Sequence, residues 1–190
     1  MAFQTEPVRT RELLGVLQLR LENFHGRCNE PKLSKNIISI FVLQVALLFR
    51  GRSVWDQGCG GTLVGDNYVI TAAHCTDGMR ASKLYVGLGE TSFDTTFESF
   101  SKTIQVKKII QHPQYDSSTF ANDISILQLK KKISLKDYPN IKPACLPKKG
   151  ALFPGDAIVS GWGTVGSGMH LNSWLHEVNV TVFADEIVDP

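Results

Sequence analysis

The hydrophobic positions of this chain fall into short segments separated by turn-forming residues, a pattern typical of antiparallel β-structure. Residues 60–64 and 68–71 are two such segments, and Gly, Asp and Asn at 65–67 lie between them, so the pattern predicts a β-hairpin. Further strands are predicted at 84–88, 103–110, 124–129, 155–164 and 174–183. Strands of this length at this spacing indicate an all-β barrel.

The first 49 residues show a different pattern. Residues 12–24 place leucines and a phenylalanine on one helical face, which predicts a short amphipathic helix, although the alternation at 17, 19 and 21 also suits a strand. Residues 25–35 combine Gly, Cys, Pro and charges, which indicates a linker. The apolar run 37–49 falls short of the roughly 20 residues that span a bilayer. It predicts a buried strand, and a membrane anchor flanked by Lys and Arg is the alternative.

Composition and charge give an ordinary globular chain. Of the 190 residues 43% are hydrophobic and 20% are charged, so the chain is long enough to bury a core. The formal net charge of +2 is too small to favour nucleic acid or a membrane surface as the main partner, and the lysine clusters are spread along the chain. Residues 1–11 are polar and charged, so no secretory signal is visible there.

Three motifs together carry a family resemblance. TAAHC at 71–75 follows CGGTLV at 59–64, ANDISIL occupies 121–127, and VSGWGT occupies 159–164. Their types and order resemble the trypsin and chymotrypsin family of serine endopeptidases. The resemblance implies two antiparallel Greek-key barrels of the chymotrypsin type, the first at about 40–140 and the start of the second at about 141–190. Residues 1–36 would be a propeptide-like segment and linker.

The resemblance also assigns the candidate catalytic residues. His74 is expected to be the general base and acid, and Asp123 is expected to orient its imidazole. Taken alone, each has a plainer interpretation: a histidine packed against a strand, and an aspartate in the turn before a strand. The family's nucleophile lies in a GDSGG-like turn, which the sequence lacks. Ser167 follows the GWGT segment directly without a preceding Asp, so we do not expect it to be the nucleophile.

The functional expectation is therefore a serine-type endopeptidase that hydrolyses peptide bonds through an acyl-enzyme, without a cofactor. Its partners would be protein or peptide substrates and protein inhibitors. Because no catalytic serine is identified, we expect the 190-residue chain by itself to be inactive. One alternative is a non-catalytic homologue that acts as a binding or regulatory module, and another is a form anchored in a membrane through residues 37–49.

The even number of cysteines fits an oxidising compartment. The resemblance pairs Cys59 with Cys75, whose bridge would close the base of the loop that presents His74. It also pairs Cys28 with Cys145, and two free thiols are the alternative for that second pair. With the family resemblance, the cysteines predict a secreted protein.

Two further sites are suggested by the sequence. Asn179 begins an Asn-Val-Thr glycosylation sequon. Glu90, Asp94 and Glu98 lie in a loop that binds calcium in some members of the family, but three acidic residues alone favour a solvated acidic loop over a calcium site. No other metal site is predicted.

Overall fold

The computed structural model describes residues 44–50, 55–93, 101–146, 155–164 and 172–182. These residues form eight β-strands and one short 3₁₀ turn, Ala81–Lys83. In chain order the strands are β1 Gln44–Arg50, β2 Trp55–Val64, β3 Tyr68–Thr71, β4 Leu84–Leu88, β5 Lys102–Gln111, β6 Ser125–Leu129, β7 Gly155–Gly161 and β8 His176–Val182.

Strands β1 to β6 close into an antiparallel barrel in the order β1-β2-β3-β6-β5-β4. Neighbours in the chain pair from β1 to β3, whereas β6 inserts between β3 and β5, and β1 closes the barrel by pairing with β4. Closure satisfies the backbone hydrogen-bonding groups that an open sheet would leave at its edges. The all-β prediction is confirmed, and the insertion of β6 is what brings distant parts of the chain together.

Strand β1 is buried on both faces, which explains why its sequence is continuously apolar. Val45 and Leu47 point into the barrel, where they pack with the aliphatic side chains of the other five strands. Ala46 and Leu48 point the opposite way and pack with Trp162, which directly follows β7. One strand thus serves as a wall for two hydrophobic clusters.

Strands β7 and β8 form a separate two-stranded antiparallel sheet. Its register places the valines of one face together, and three of them are well exposed: Val159 at 40%, Val178 at 57% and Val182 at 40%. The opposite face is mostly polar, and there Ser160 donates a hydrogen bond to Gln44 of β1. Strand alternation therefore gives this sheet one valine-rich face and one mostly polar face, which also carries Ile158.

Most of the predicted strands are confirmed within one or two residues, and the turn at 65–67 is confirmed with Gly65 at a φ of 73°. The prediction was wrong about the start of β2, which begins at Trp55 because the segment before Gly60 pairs with β1. The predicted helix at 12–24 and the first half of the apolar run at 37–49 lie outside the described residues. Within the described part of the chain, no helix is long and apolar enough to cross a bilayer.

Candidate active site

The register between β3 and β6 places His74 beside Asp123. These strands pair antiparallel with Thr71 opposite Ser125, so the residues just after β3 lie beside those just before β6. His74 is in the turn after β3, and Asp123 precedes β6 by two residues. Two residues 49 positions apart in sequence are therefore adjacent in the fold.

Two short hydrogen bonds join His74 to the carboxylate of Asp123. Asp123 accepts from the backbone N–H of His74 at 2.8 Å through Oδ1, and its Oδ2 lies 2.6 Å from His74 Nδ1. The His74 side chain is 35% exposed and that of Asp123 is 23% exposed. The carboxylate therefore fixes both the backbone and the ring of His74, while the ring keeps contact with solvent.

The turn that carries His74 is anchored through a single carbonyl group. Ala73 O accepts from Thr76 N at 2.9 Å, from Thr76 Oγ1 at 3.1 Å and from Gln111 Nε2 at 3.0 Å. Thr76 Oγ1 also lies 3.1 Å from Ser125 Oγ. Thr76 and Ser125 are almost fully buried, so the hydrogen bonds between them and to Ala73 O are shielded from solvent and fix the conformation of this turn.

The sequence did not single out Gln111, Thr76 or Ser125. The available signal was weak: one serine inside the apolar run 124–129, and one threonine directly after Cys75. A polar residue in a segment otherwise destined for burial usually has a hydrogen-bond partner, so both positions indicated buried polar contacts. The identity of the partners follows only from the strand register.

The loop before Asp123 adopts an uncommon backbone conformation. Phe120 and Asn122 have φ values of 56° and 57°, in the left-handed region. Asparagine tolerates that region, whereas it costs a phenylalanine on the order of 1 kcal/mol. Phe120 is 58% exposed, and its ring meets the His74 ring edge-on at 5.9 Å between centroids.

The negative charge of Asp123 also affects the pKa of Tyr115. Desolvation first, and then the carboxylates Asp123, Asp77 and Asp116, raise the pKa of the Tyr115 hydroxyl. Three carboxylates therefore lie close enough to Tyr115 to disfavour its ionised form.

A disulfide lies directly beside the histidine. Cys59 and Cys75 are bonded, with Cα atoms 6.1 Å apart, and Cys75 Sγ is 3.4 Å from His74 Nε2. The bridge links β2 to the turn that follows β3. Among the described residues, Cys59, His74 and Cys75 form the one group of three or more potential metal ligands whose ligand atoms lie within 4.8 Å of one another. Because both sulfurs are in the disulfide, this cluster offers no thiolate in the oxidised protein.

The structure describes only some of the other site residues that were predicted from the sequence. Asn179 is exposed on β8, at the start of the sequon. Cys145 is exposed, but Cys28 lies outside the described residues, so their pairing stays a prediction. Ser167, Asp94 and Glu98 also lie outside them, and Glu90 is half-buried.

His112 is a second histidine on this side of the barrel, directly after β5. It is half-buried, and its Nδ1 accepts the backbone N–H of Gln114 at 3.1 Å. It takes no part in the contact between His74 and Asp123.

Comparison with known proteins agrees with this architecture. The Trypsin family profile matches residues 38–189. The serine protease filzig of Drosophila melanogaster is 40% identical over 131 residues, which are 68% of this chain and 8% of filzig. Granzyme B of Rattus norvegicus is 40% identical over 133 residues, 69% of this chain and 51% of its own length. Chymotrypsin-C of Bos taurus is 35% identical over 122 residues, 63% of this chain and 44% of its own length.

A solved structure titled "Structure of GrC" superimposes with a TM-score of 0.64 at 31% sequence identity, covering 76% of this chain and 62% of that one. The chain spans about half, or less, of the length of the curated relatives named above. The match to the family profile extends over most of the 190 residues, and the closed antiparallel barrel agrees with it. The chain therefore belongs to the trypsin family of serine proteases.

Proposed function

We propose that this chain carries the general-base part of a serine-type endopeptidase, which hydrolyses peptide bonds through an acyl-enzyme. In this proposal His74 transfers the proton and Asp123 orients its ring. The observation that carries the proposal is the 2.6 Å contact between His74 Nδ1 and Asp123 Oδ2, combined with the exposure of the ring.

The chemistry follows from what a carboxylate does to an imidazole. Ionised Asp123 can only accept, so it holds the neutral ring with its proton on Nδ1 and its lone pair on Nε2. That lone pair is what a general base uses to remove a hydroxyl proton. When the ring becomes positive, the same carboxylate stabilises it, as in the Ser-His-Asp arrangement known from this family.

The nucleophile is the part of the mechanism that these 190 residues do not supply. No GDSGG-like turn occurs among them, and Ser167 follows GWGT directly. Loss of the serine from such a triad lowers turnover on the order of a million-fold. We therefore propose that this polypeptide by itself does not turn over peptide substrates.

The surroundings proposed for the protein follow from the family. Its partners would be protein or peptide substrates and protein inhibitors, it would need no cofactor, and it would be secreted. The disulfide between Cys59 and Cys75 supports an oxidising compartment. Exposure of Asn179 on β8 supports its use as a glycosylation site.

The test is to purify the native protein from its source, label it with a fluorophosphonate probe, and map the labelled species by mass spectrometry. We expect a labelled protein that contains peptides from both the His74 and the Asp123 segments. The His74→Gln variant should lose the label. The His112→Gln variant should keep it, because the His112 ring bonds Gln114 and takes no part in the contact between His74 and Asp123.

A second function has one observation in its favour. Because the 190 residues lack a GDSGG-like turn, a non-catalytic homologue that binds a partner through its first barrel also fits them. If native protein containing residues 44–182 takes no label, or if His74→Gln labels as well as the parent, the endopeptidase proposal fails. The first of these outcomes would favour the binding module.

A further inference from the structure

The fold brings lysines from separate parts of the sequence together beside Gln105 of β5. The Gln105 side chain accepts a hydrogen bond from Lys130 Nζ and donates one to Ser82 O at 2.6 Å. Lys130 directly follows β6, and Lys83 is next to Ser82 at the end of the 3₁₀ turn. Gln105 therefore lies between two cationic positions that are far apart in the chain.

Two further lysines lie on β5 itself. Lys108 is opposite Gln128 in the register between β5 and β6, and Lys107 precedes it at an irregularity of that register. The lysine patch consists of four exposed residues, Lys83, Lys107, Lys108 and Lys130. The lysine clusters that are spread along the sequence are thus partly gathered on one outer face of the barrel.

The charges of the lysine patch have no carboxylate partners within the described part of the chain. Lys132, whose Nζ lies 2.8 Å from Asp66 Oδ2, is the one described lysine that has such a partner. Because neighbouring strands lie about 4.8 Å apart, the patch spans roughly 10 Å across the turn before β4, β5 and the end of β6. That distance is close to the Debye length of about 8 Å at physiological salt, so the four charges act together as one positive field.

The patch offers charge without apolar contacts. Among the described residues, the exposed large hydrophobic side chains all lie outside β4, β5 and β6. Protein partners are usually anchored by aromatic or other large side chains that enter a well-packed interface centre. A surface of this kind suits a linear ligand that is recognised through repeated negative charges, as in heparin-binding patches.

We propose that the lysine patch binds a sulfated polysaccharide. The anion-binding surface stands on the fold alone. The choice of a sulfated polysaccharide over a nucleic acid rests on the secreted location in the proposed function, because an extracellular protein meets sulfated polysaccharides on cell surfaces and in the matrix.

The lysine patch is separate from the candidate active site. Gln111, at the end of β5, donates to Ala73 O in the turn of His74. Lys107 is four residues earlier on the same strand, which is roughly 13 Å away along it. A bound polysaccharide would therefore hold the protein in place and leave the His74 ring open to solvent.

Fluorescence anisotropy with a labelled heparin oligosaccharide tests the patch in the full 190-residue chain. We expect binding at about 150 mM salt that weakens as the salt concentration rises, because each contact between a lysine and a sulfate releases bound counterions. Lys107→Gln combined with Lys108→Gln should weaken binding at least tenfold. It should also reduce the slope of log Kd against log salt concentration by about 1–2.

A matched double variant removes the same amount of charge elsewhere. It combines Lys102→Gln with Lys132→Gln. Lys102 Nζ lies 5.9 Å from the centroid of the Tyr138 ring, and Lys132 is paired with Asp66. Since neither residue belongs to the patch, this variant should bind within about twofold of the parent. All the substituted lysines are exposed, so both double variants should keep the circular dichroism of the parent.

Other polyanions identify the ligand class. Hyaluronan, which has carboxylates and no sulfates, should bind at least tenfold more weakly than heparin, and so should single-stranded DNA and polyglutamate. The proposal is overturned if the parent does not bind heparin at about 150 mM salt, or if any of these three polyanions binds as tightly. It is also overturned if the Lys107 and Lys108 double variant binds like the parent, or if the matched variant loses as much affinity. None of these readouts depends on the fluorophosphonate label, so the lysine patch and the proposed function can fail separately.

Discussion

Gly61, in strand β2, has no space beside it for a side chain. A Cβ atom at Gly61 would lie 2.8 Å from Val69 Cγ1 and 2.9 Å from the backbone oxygen of Ile70, both on β3. At Gly60 the near contact would be Gln44 Nε2 at 2.9 Å, the mobile end of a flexible side chain. We therefore predict that Gly61→Ala destabilises the barrel much more than Gly60→Ala does.

The magnitude follows from these distances. Relative to an ordinary contact of 3.4 Å, the Gly61 contacts are about 0.5 Å too short, and the backbone of β3 has to move. Such overpacking typically costs about 1–3 kcal/mol. Replacing Gly by Ala recovers about 0.4–1 kcal/mol by restricting the unfolded chain. Gly61→Ala should thus lower the free energy of unfolding by about 1–2 kcal/mol, and Gly60→Ala should stay within about 1 kcal/mol of the parent.

Urea unfolding followed by circular dichroism compares the two variants. Because β3 leads directly to His74, the hydrogen-bonded Nδ1 proton resonance should also shift in Gly61→Ala and stay in place in Gly60→Ala. If Gly61→Ala unfolds at the same urea concentration as Gly60→Ala, or at a higher one, the steric argument is refuted.

Three other predictions concern the site and its loop. Asp123→Asn presents an amide N–H to His74, so the Nδ1 proton resonance should disappear and the free energy of unfolding should fall by about 1–3 kcal/mol; an unchanged resonance would contradict this. Phe120→Gly should be more stable than Phe120→Ala by about 1 kcal/mol in thermal unfolding, because only Gly adopts the positive φ without strain; equal stability would contradict this. Hydrogen bonds from Ser118, the side-chain one foremost, lower the pKa of Asp116. The contribution of Asp116 to stability is therefore present above about pH 4 and is lost as the pH falls further. Asp116→Asn should flatten the dependence of stability on pH in that acidic range, and an unchanged dependence would count against this prediction.

Periodicity alone was enough for most of the strands. β4, for example, has the predicted bounds, because its short apolar segment follows the polar residues 82–83 and ends before Gly89, which has a φ of 71°. Strand register is different, since a strand's own pattern says nothing about which distant strand it joins. The pairing of Thr71 with Ser125, which brings His74 to Asp123, was therefore beyond the pattern. The role of that pair was suggested only by family resemblance.

Phe120 has a conformation and an exposure that its residue type does not suggest. A phenylalanine in sequence favours a buried, right-handed or extended position, yet this one is 58% exposed with a φ of 56°. Its backbone is set by the turn that delivers Asp123 and not by its own preference. Gln111 is a similar case, because a polar residue at the end of a strand usually faces water, whereas this one donates to Ala73 O.

The insertion of β6 between β3 and β5 has a consequence for folding kinetics. The hairpin of β2 and β3 is local in sequence and can form early, but the contact between His74 and Asp123 closes a loop of 49 residues. An intermediate that holds only the hairpin therefore contains the histidine without its carboxylate. The pair forms only when β6 docks beside β3, so the Nδ1 proton resonance of His74 would report that step of folding.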